Sequence, residues 1–192
     1  MKEYRIAIIG RSGKGDYGHG LDKVWKEVPQ AEIVAVADET PAGLKAAGER
    51  LKVKALYGDY RKMLAAERPD IVSVAPRWLD CHHDMVLACA EHGASIFLEK
   101  PMCRTLAEAD AMVRTCEEKH VKLAIAHQTR YSPRVKVIRE LINAGKSAGC
   151  SNSVDGARRT TAAAVKISGS SEPIFLISCV SLEERHEAAS QR

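Results

Sequence analysis

Ile96-Phe97-Leu98-Glu99-Lys100-Pro101 decides how the rest of the chain is read. Three apolar residues make a short buried strand, and a carboxylate, an ammonium and a proline follow at once. Proline has no N–H for a ladder hydrogen bond, so the strand ends there. Glu99 and Lys100 therefore fall at a strand's carboxyl end, the edge of an open α/β sheet where ligands bind. Alone, the pair reads equally as a solvated strand end. The segments around it choose between the two.

Upstream, Ile6 to Ile9 is a continuous apolar run, the pattern of a central parallel strand covered on both faces. A glycine-dense loop follows, Gly10-Arg11-Ser12-Gly13-Lys14-Gly15-Asp16-Tyr17-Gly18-His19-Gly20, and Leu21, Val24, Trp25 and Val28 recur at helical spacing after it. Gly13, Gly15 and Gly18 match G-x-G-x-x-G, and Gly10 is an alternative first glycine because the loop is long. Such glycines let backbone approach a pyrophosphate seated on a helix N-terminus. Asp16 opposes a phosphate there unless Arg11 and Lys14 offset it. Ile33 to Ala37 is a second strand ending at Asp38, about 20 residues past Gly18, the offset at which a carboxylate meets the adenosine ribose. Asp38 reads otherwise as the start of a turn before Thr40-Pro41, which caps and opens a helix.

Val53 to Tyr57 is a short edge strand, and Asp59 caps a helix closed by Arg68-Pro69. Ile71 to Ala75 is a fourth strand, ending at Pro76-Arg77-Trp78. A helix from about His82 stops at Gly93 and leads into the opening strand. Thr105 and Glu108 form a capping box, Val121 to Ala126 is a sixth strand, and Ser132-Pro133 starts a last helix with Val135, Ile138, Leu141 and Ile142 inward. Strand and helix alternate throughout. The expected fold is α/β, a doubly wound parallel sheet of Rossmann type with right-handed crossovers, over residues 1–146.

Composition excludes several classes. The 192 residues are 45% hydrophobic and 28% charged with net charge +4. No Lys/Arg run interleaves with aromatics, so nucleic acid is not an expected partner. The cysteines Cys81, Cys89, Cys103, Cys116, Cys150 and Cys179 show no C-x-x-C pair, which argues against a metal or disulfide framework and for the reducing cytoplasm. Lys2 and Arg5 precede an apolar run too short for a signal-peptide core, and no stretch approaches the roughly 20 apolar residues of a membrane span. From Ser147 to Arg192 no helix or strand period persists, and Pro173 to Val180 is one apolar run without a partner. This stretch reads as an irregular tail.

Glu99-Lys100-Pro101 after a helix ending in Gly93, His82 at the start of that helix, and His127 to Pro133 leading out of the sixth strand together resemble the glucose–fructose oxidoreductase / inositol dehydrogenase / rhizopine-catabolism (Gfo/Idh/MocA) family. The resemblance spans about Tyr4 to Lys146. It implies a nicotinamide-dependent oxidoreductase acting on a sugar, inositol or related hydroxy compound. Lys100 would position the nicotinamide and polarise the substrate hydroxyl, as the catalytic residue of this half. Glu99 would contact the nicotinamide-ribose edge, Pro101 would fix the turn, and Pro76, Arg77 and Trp78 would line the cofactor near its middle. With Gly10, Gly13, Gly15, Gly18 and Asp38 these make the expected cofactor site. Asp38 favours NAD, with NADP disfavoured by like-charge repulsion. Adjacent His82 and His83 do not share a helix face, so no metal is expected. His82 is expected to hydrogen-bond the loop.

The family's acid/base pattern, H-x-x-D on a second domain, has no match between Ser147 and Arg192, where His186 is the only histidine. The expectation is a truncated oxidoreductase of low activity. The alternative is a nucleotide-sensing or interaction module that keeps the fold without catalysis. Reading the tail one base out of frame, with synonymous codons chosen freely, permits a string containing GGG and GTHIFD. That reading predicts a frameshifted remnant of a second domain over residues 147–192. The oligomeric state is not indicated.

Overall fold

The structure, a computed structural model, describes residues 3–144. The expected tail, and the boundary expected at Lys146, lie outside the described residues. The chain divides into two units, residues 1–126 and 127–192.

The first unit is a six-stranded sheet: β1 (Tyr4–Ile9), β2 (Ala31–Ala37), β3 (Ala55–Tyr57), β4 (Ile71–Val74), β5 (Ser95–Leu98) and β6 (Leu123–Ile125). Their order is β3-β2-β1-β4-β5-β6 and every pairing is parallel, as the alternation of elements predicts. Four helices connect them: α1 (Pro41–Leu51), α2 (Tyr60–Glu67), α3 (His82–Glu91) and α4 (Leu106–Glu118). Ile6, Ile8, Ile9 and Val36 are at most 1% exposed, so the central strands are dry on both faces. Each buried aliphatic side chain contributes about 1.5–3 kcal/mol, and this β1–β2–β4 centre anchors the loops that follow it.

Two of the expected side-chain caps form, at Asp59 and Thr105, whereas Thr40 precedes α1 without a side-chain cap and its hydroxyl donates to Asp38 instead. Asp59 accepts from the Arg61 amide at 2.8 Å. Thr105 Oγ1 accepts from the Glu108 amide at 3.2 Å, while the Glu108 carboxylate reaches back to the Arg104 amide at 2.9 Å. Lys52 closes α1 in the left-handed region.

The helix expected after the glycine loop does not form. Gly18–Gly20 and Val24–Glu27 are short 3-10 turns instead. Gly13, Gly15, Asp16, His19 and Gly20 all have positive φ, which breaks α-helical continuity, and Val28-Pro29 stops the second turn. The periodic apolar residues scatter accordingly. Leu21 is buried, Val24 and Val28 are exposed, and Trp25 meets Phe97 edge-on with ring centroids 5.8 Å apart.

In the second unit, a 3-10 turn at Gln128–Tyr131 precedes α5 (Pro133–Asn143). Val135 is half-buried, but Ile138 and Leu141, expected on an inner face, are exposed. Periodicity shows which face of a helix is apolar, not that something covers it.

Candidate functional site

The site lies at the carboxyl edge, where strand order reverses between β1 and β4, the crevice position of doubly wound sheets. Four loops converge there. Gly10 leaves β1, Asp38 leaves β2, Pro76-Arg77-Trp78 leaves β4, and Glu99-Lys100-Pro101 leaves β5.

Two backbone contacts seat the glycine loop: the Gly10 amide donates to the Ala37 carbonyl at 2.9 Å, and the Gly18 amide to the Ala75 carbonyl at 2.7 Å. Gly15 and Gly18 are required by close approach. A Cβ on Gly15 would lie 2.7 Å from the Arg77 and Trp78 amide nitrogens, and one on Gly18 would lie 2.7 Å from the Glu99 side chain. Gly13 has open space beside it and serves through its positive φ. Because no α-helix starts here, the pyrophosphate seat expected on a helix N-terminus is absent from this loop.

The Asp16 charge is offset, but not by the expected residues. The Asp16 carboxylate accepts from the Gly13 amide at 2.8 Å and pairs with Arg77 at 3.7 Å. Arg11 instead bridges Asp80 at 2.7 Å and Glu39 at 3.3 Å, and Lys14 lies 3.8 Å from Glu39. Arg77 also donates through its amide and Nε to the Gly15 carbonyl, at 3.2 and 3.1 Å. It thereby ties the β4 loop to the glycine loop. Trp78 is exposed and Pro76 buried.

Asp38 is almost completely buried, at 2% exposure, and saturated with donors. Its Oδ2 accepts from the Ser12 amide at 3.0 Å, the Ser12 hydroxyl at 2.7 Å and the Tyr17 hydroxyl at 3.0 Å. Its Oδ1 accepts from the Thr40 amide and hydroxyl, both at 3.0 Å. Burial opposes the charge, but the Ser12, Thr40 and Tyr17 hydrogen bonds outweigh it, and the carboxyl titrates below its ordinary value. Burial, reinforced by Asp38, pushes the Tyr17 phenol up. The turn reading of Asp38 is borne out by its bonds to Thr40. It starts the turn into α1, and it carries a fixed negative charge at the end of β2. Ser12, Tyr17, Thr40 and Gly43, against which Ser12 packs, were not legible as its partners. They meet only once the loop folds over β2.

At the other end, Glu99 is fully buried and its Oε1 lies 2.5 Å from His19 Nδ1. Its Oε2 has no hydrogen-bond partner among the described residues. Lys100 is exposed, and a cis peptide joins it to Pro101. Buried His82 lies within hydrogen-bond reach of the Pro76 carbonyl at 2.7 Å and the Pro101 and Met102 carbonyls at 3.0 and 3.2 Å. It joins the β4 and β5 loops as expected. His19 was missed because a histidine inside a glycine run carries no periodic signal.

These residues fit a dinucleotide. A buried carboxylate ends β2, Gly15 and Gly18 allow close backbone approach, and Lys100 is exposed at the end of β5. One feature opposes entry: the Tyr17 ring fills the space above Gly10, where a Cβ would lie 2.0 Å from its Cζ. Among the described residues no group of His, Cys, Asp and Glu could hold a metal, and no helix is long and apolar enough to cross a membrane.

The chain is similar to several known proteins. A D-apiose dehydrogenase from Paraburkholderia graminis is 32% identical over 145 residues, 76% of this chain and 38% of the relative. A D-xylose 1-dehydrogenase (NADP(+)) from Haloferax volcanii is 30% identical over 67% of this chain and 40% of its own length. The crystal structure of an oxidoreductase from Agrobacterium radiobacter in complex with NAD+, L-tartaric acid and magnesium superposes with a TM-score of 0.66 at 28% identity, over 75% of this chain and 41% of that one. The chain spans about two-fifths of the length of these relatives. Residues 4–127 match the family model described as "Oxidoreductase family, NAD-binding Rossmann fold", and the chain therefore belongs to the Gfo/Idh/MocA oxidoreductase family.

Proposed function

We propose that this chain supplies the NAD-binding half of an oxidoreductase acting on a sugar, inositol or related polyhydroxy compound. The observation that carries the reading is the convergence of the glycine loop, ionised Asp38 and Glu99-Lys100 on the β1/β4 switch point. The relatives' sugar substrates support the substrate class. Asp38 favours NAD: its charge faces the position of a 2′-phosphate, and like charges repel whether or not the carboxylate binds the ribose directly.

When bound, the nicotinamide supplies the hydride acceptor. The chain's own residues hold and orient. Lys100, exposed at the β5 end, would offer an ammonium to the reacting hydroxyl, where a positive charge favours loss of its proton. Glu99, locked beneath Gly18 by His19, fixes the backbone from which Lys100 projects. Arg77 and Gly15 close the middle of the groove.

Fluorescence titration with NADH and NADPH tests the reading. NADH binding in the micromolar to millimolar range, about tenfold tighter than NADPH, is expected, a ratio worth about 1.4 kcal/mol of charge repulsion. Absence of binding by both sinks it. Equal or tighter NADPH binding sinks the role given to Asp38.

A further inference from the structure

We propose that the Tyr17 hydroxyl stands in for a ribose hydroxyl on Asp38, and that a dinucleotide binds by displacing it. Tyr17 thereby sets the affinity of the adenosine end. This rests on reading the carboxyl edge as a dinucleotide site.

An ionised carboxylate offers about four lone-pair sites. Asp38 already serves five donors: two amides and the hydroxyls of Ser12, Thr40 and Tyr17. A ribose hydroxyl can reach it only if one donor leaves. The two amides are fixed in the backbone. Ser12 is wedged against Gly43, where a Cβ would lie 2.0 Å from Ser12 Oγ, and Thr40 precedes the first turn of α1. Tyr17 is the long side chain of the set, carried between the left-handed residues Asp16 and His19. It is the donor able to swing away.

The Tyr17 ring also occupies the relevant space. Its Cζ, Cε1 and Oη lie 2.0, 2.1 and 2.4 Å from where a Gly10 Cβ would sit, the close approach that a glycine at the end of β1 leaves for a cofactor. On Asp38 Oδ2, the Tyr17 hydroxyl lies at 3.0 Å beside that of Ser12 at 2.7 Å. Besides the bond from its hydroxyl to Asp38, packing also holds the Tyr17 ring. It packs on the cores beneath β1 and β2, and the Arg50 guanidinium lies 4.8 Å from its centroid, itself held by Asp22 at 2.8 Å. Removing the hydroxyl therefore deletes the competitor for Asp38 and one of the holds that keep the ring over Gly10.

The test is Tyr17→Phe, with binding of ADP-ribose, NADH and nicotinamide mononucleotide measured by calorimetry on the full chain. The variant is expected to bind ADP-ribose and NADH about three- to tenfold more tightly, the scale of one hydrogen bond to a charged group. Its affinity for nicotinamide mononucleotide, which lacks the adenosine ribose, stays the same. A near-ultraviolet difference spectrum gives a second readout, a tyrosine signal on saturating the parent protein with ADP-ribose that the variant lacks. Equal or weaker binding of ADP-ribose by the variant, or no tyrosine signal in a parent that binds, overturns the inference alone. Failure of both proteins to bind ADP-ribose and NADH overturns the dinucleotide reading and this inference with it.

Discussion

Replacing Asp38 by asparagine isolates what the saturated carboxylate contributes. Asparagine keeps one acceptor oxygen and turns the other into an N–H donor. With the oxygen toward Thr40, the new NH2 faces the Ser12 amide and the hydroxyls of Ser12 and Tyr17. The hydroxyls can rotate and accept; the amide cannot, and it keeps only its longer 3.3 Å approach to the retained oxygen. With the amide flipped, the Thr40 N–H is stranded instead. Either way one charge-assisted bond, about 1.5–3 kcal/mol, gives way to a stranded or poorly paired donor costing up to about 1–3 kcal/mol, and the remaining bonds lose their charge assistance. A net loss of about 3–4 kcal/mol is expected, a large share of a domain's usual 5–15 kcal/mol. Urea denaturation followed by circular dichroism measures it. The pH dependence supplies an independent check. The folded Asp38 titrates below its unfolded value, so its stabilisation is complete above the unfolded pKa of about 3.9 and drains away as pH falls through the folded one. The two proteins should differ by a constant amount from neutral pH down to about pH 5 and converge below about pH 4. A neutral-pH difference under about 1 kcal/mol, or parallel curves into acid, refutes the reasoning.

Asp38→Ala should also narrow the gap between NADH and NADPH affinities; an unchanged ratio in paired titrations assigns the preference elsewhere. Gly15→Ala, which puts a Cβ 2.7 Å from two backbone nitrogens at φ +94°, should cost about 2–4 kcal/mol in thermal denaturation, whereas Gly13→Ala, with open space at φ +79°, should cost about 1 kcal/mol. Comparable losses in the two variants would show that the close approach to Arg77 and Trp78 is not what demands Gly15. Lys100→Ala should leave the melting temperature and ADP binding unchanged and weaken NADH binding; loss of ADP binding would place Lys100 in the wrong half of the groove. Sequencing the locus checks the frame reading of residues 147–192, for which codons spelling GTHIFD one base out of frame are expected and any other usage ends that proposal.

The sheet was legible because its information is local. Buried parallel strands such as Ile6 to Ile9 read as unbroken apolar runs, and caps such as Asp59 and Thr105 satisfy amides within three residues along the chain. Strand ends were legible too, and the carboxyl ends of parallel strands lie on one edge by topology. Gly10, Asp38, Arg77 and Lys100 were therefore expected together on that edge. Side-chain partners were not legible. Ser12 and Tyr17 meet Asp38 across 26 and 21 residues, and His19 meets Glu99 across 80. No local pattern encodes such contacts, because they form only when a loop of left-handed residues folds back over the sheet edge. Tertiary structure also overrode the helical spacing of Leu21, Val24, Trp25 and Val28: residues held at positive φ cannot continue a right-handed helix, whatever the apolar period that follows them. The sequence by itself thus determined the sheet and the edge that bears the site. Only the fold decided that the Asp38 carboxylate is already saturated, because that depends on how many donors the packed loop brings to one buried group.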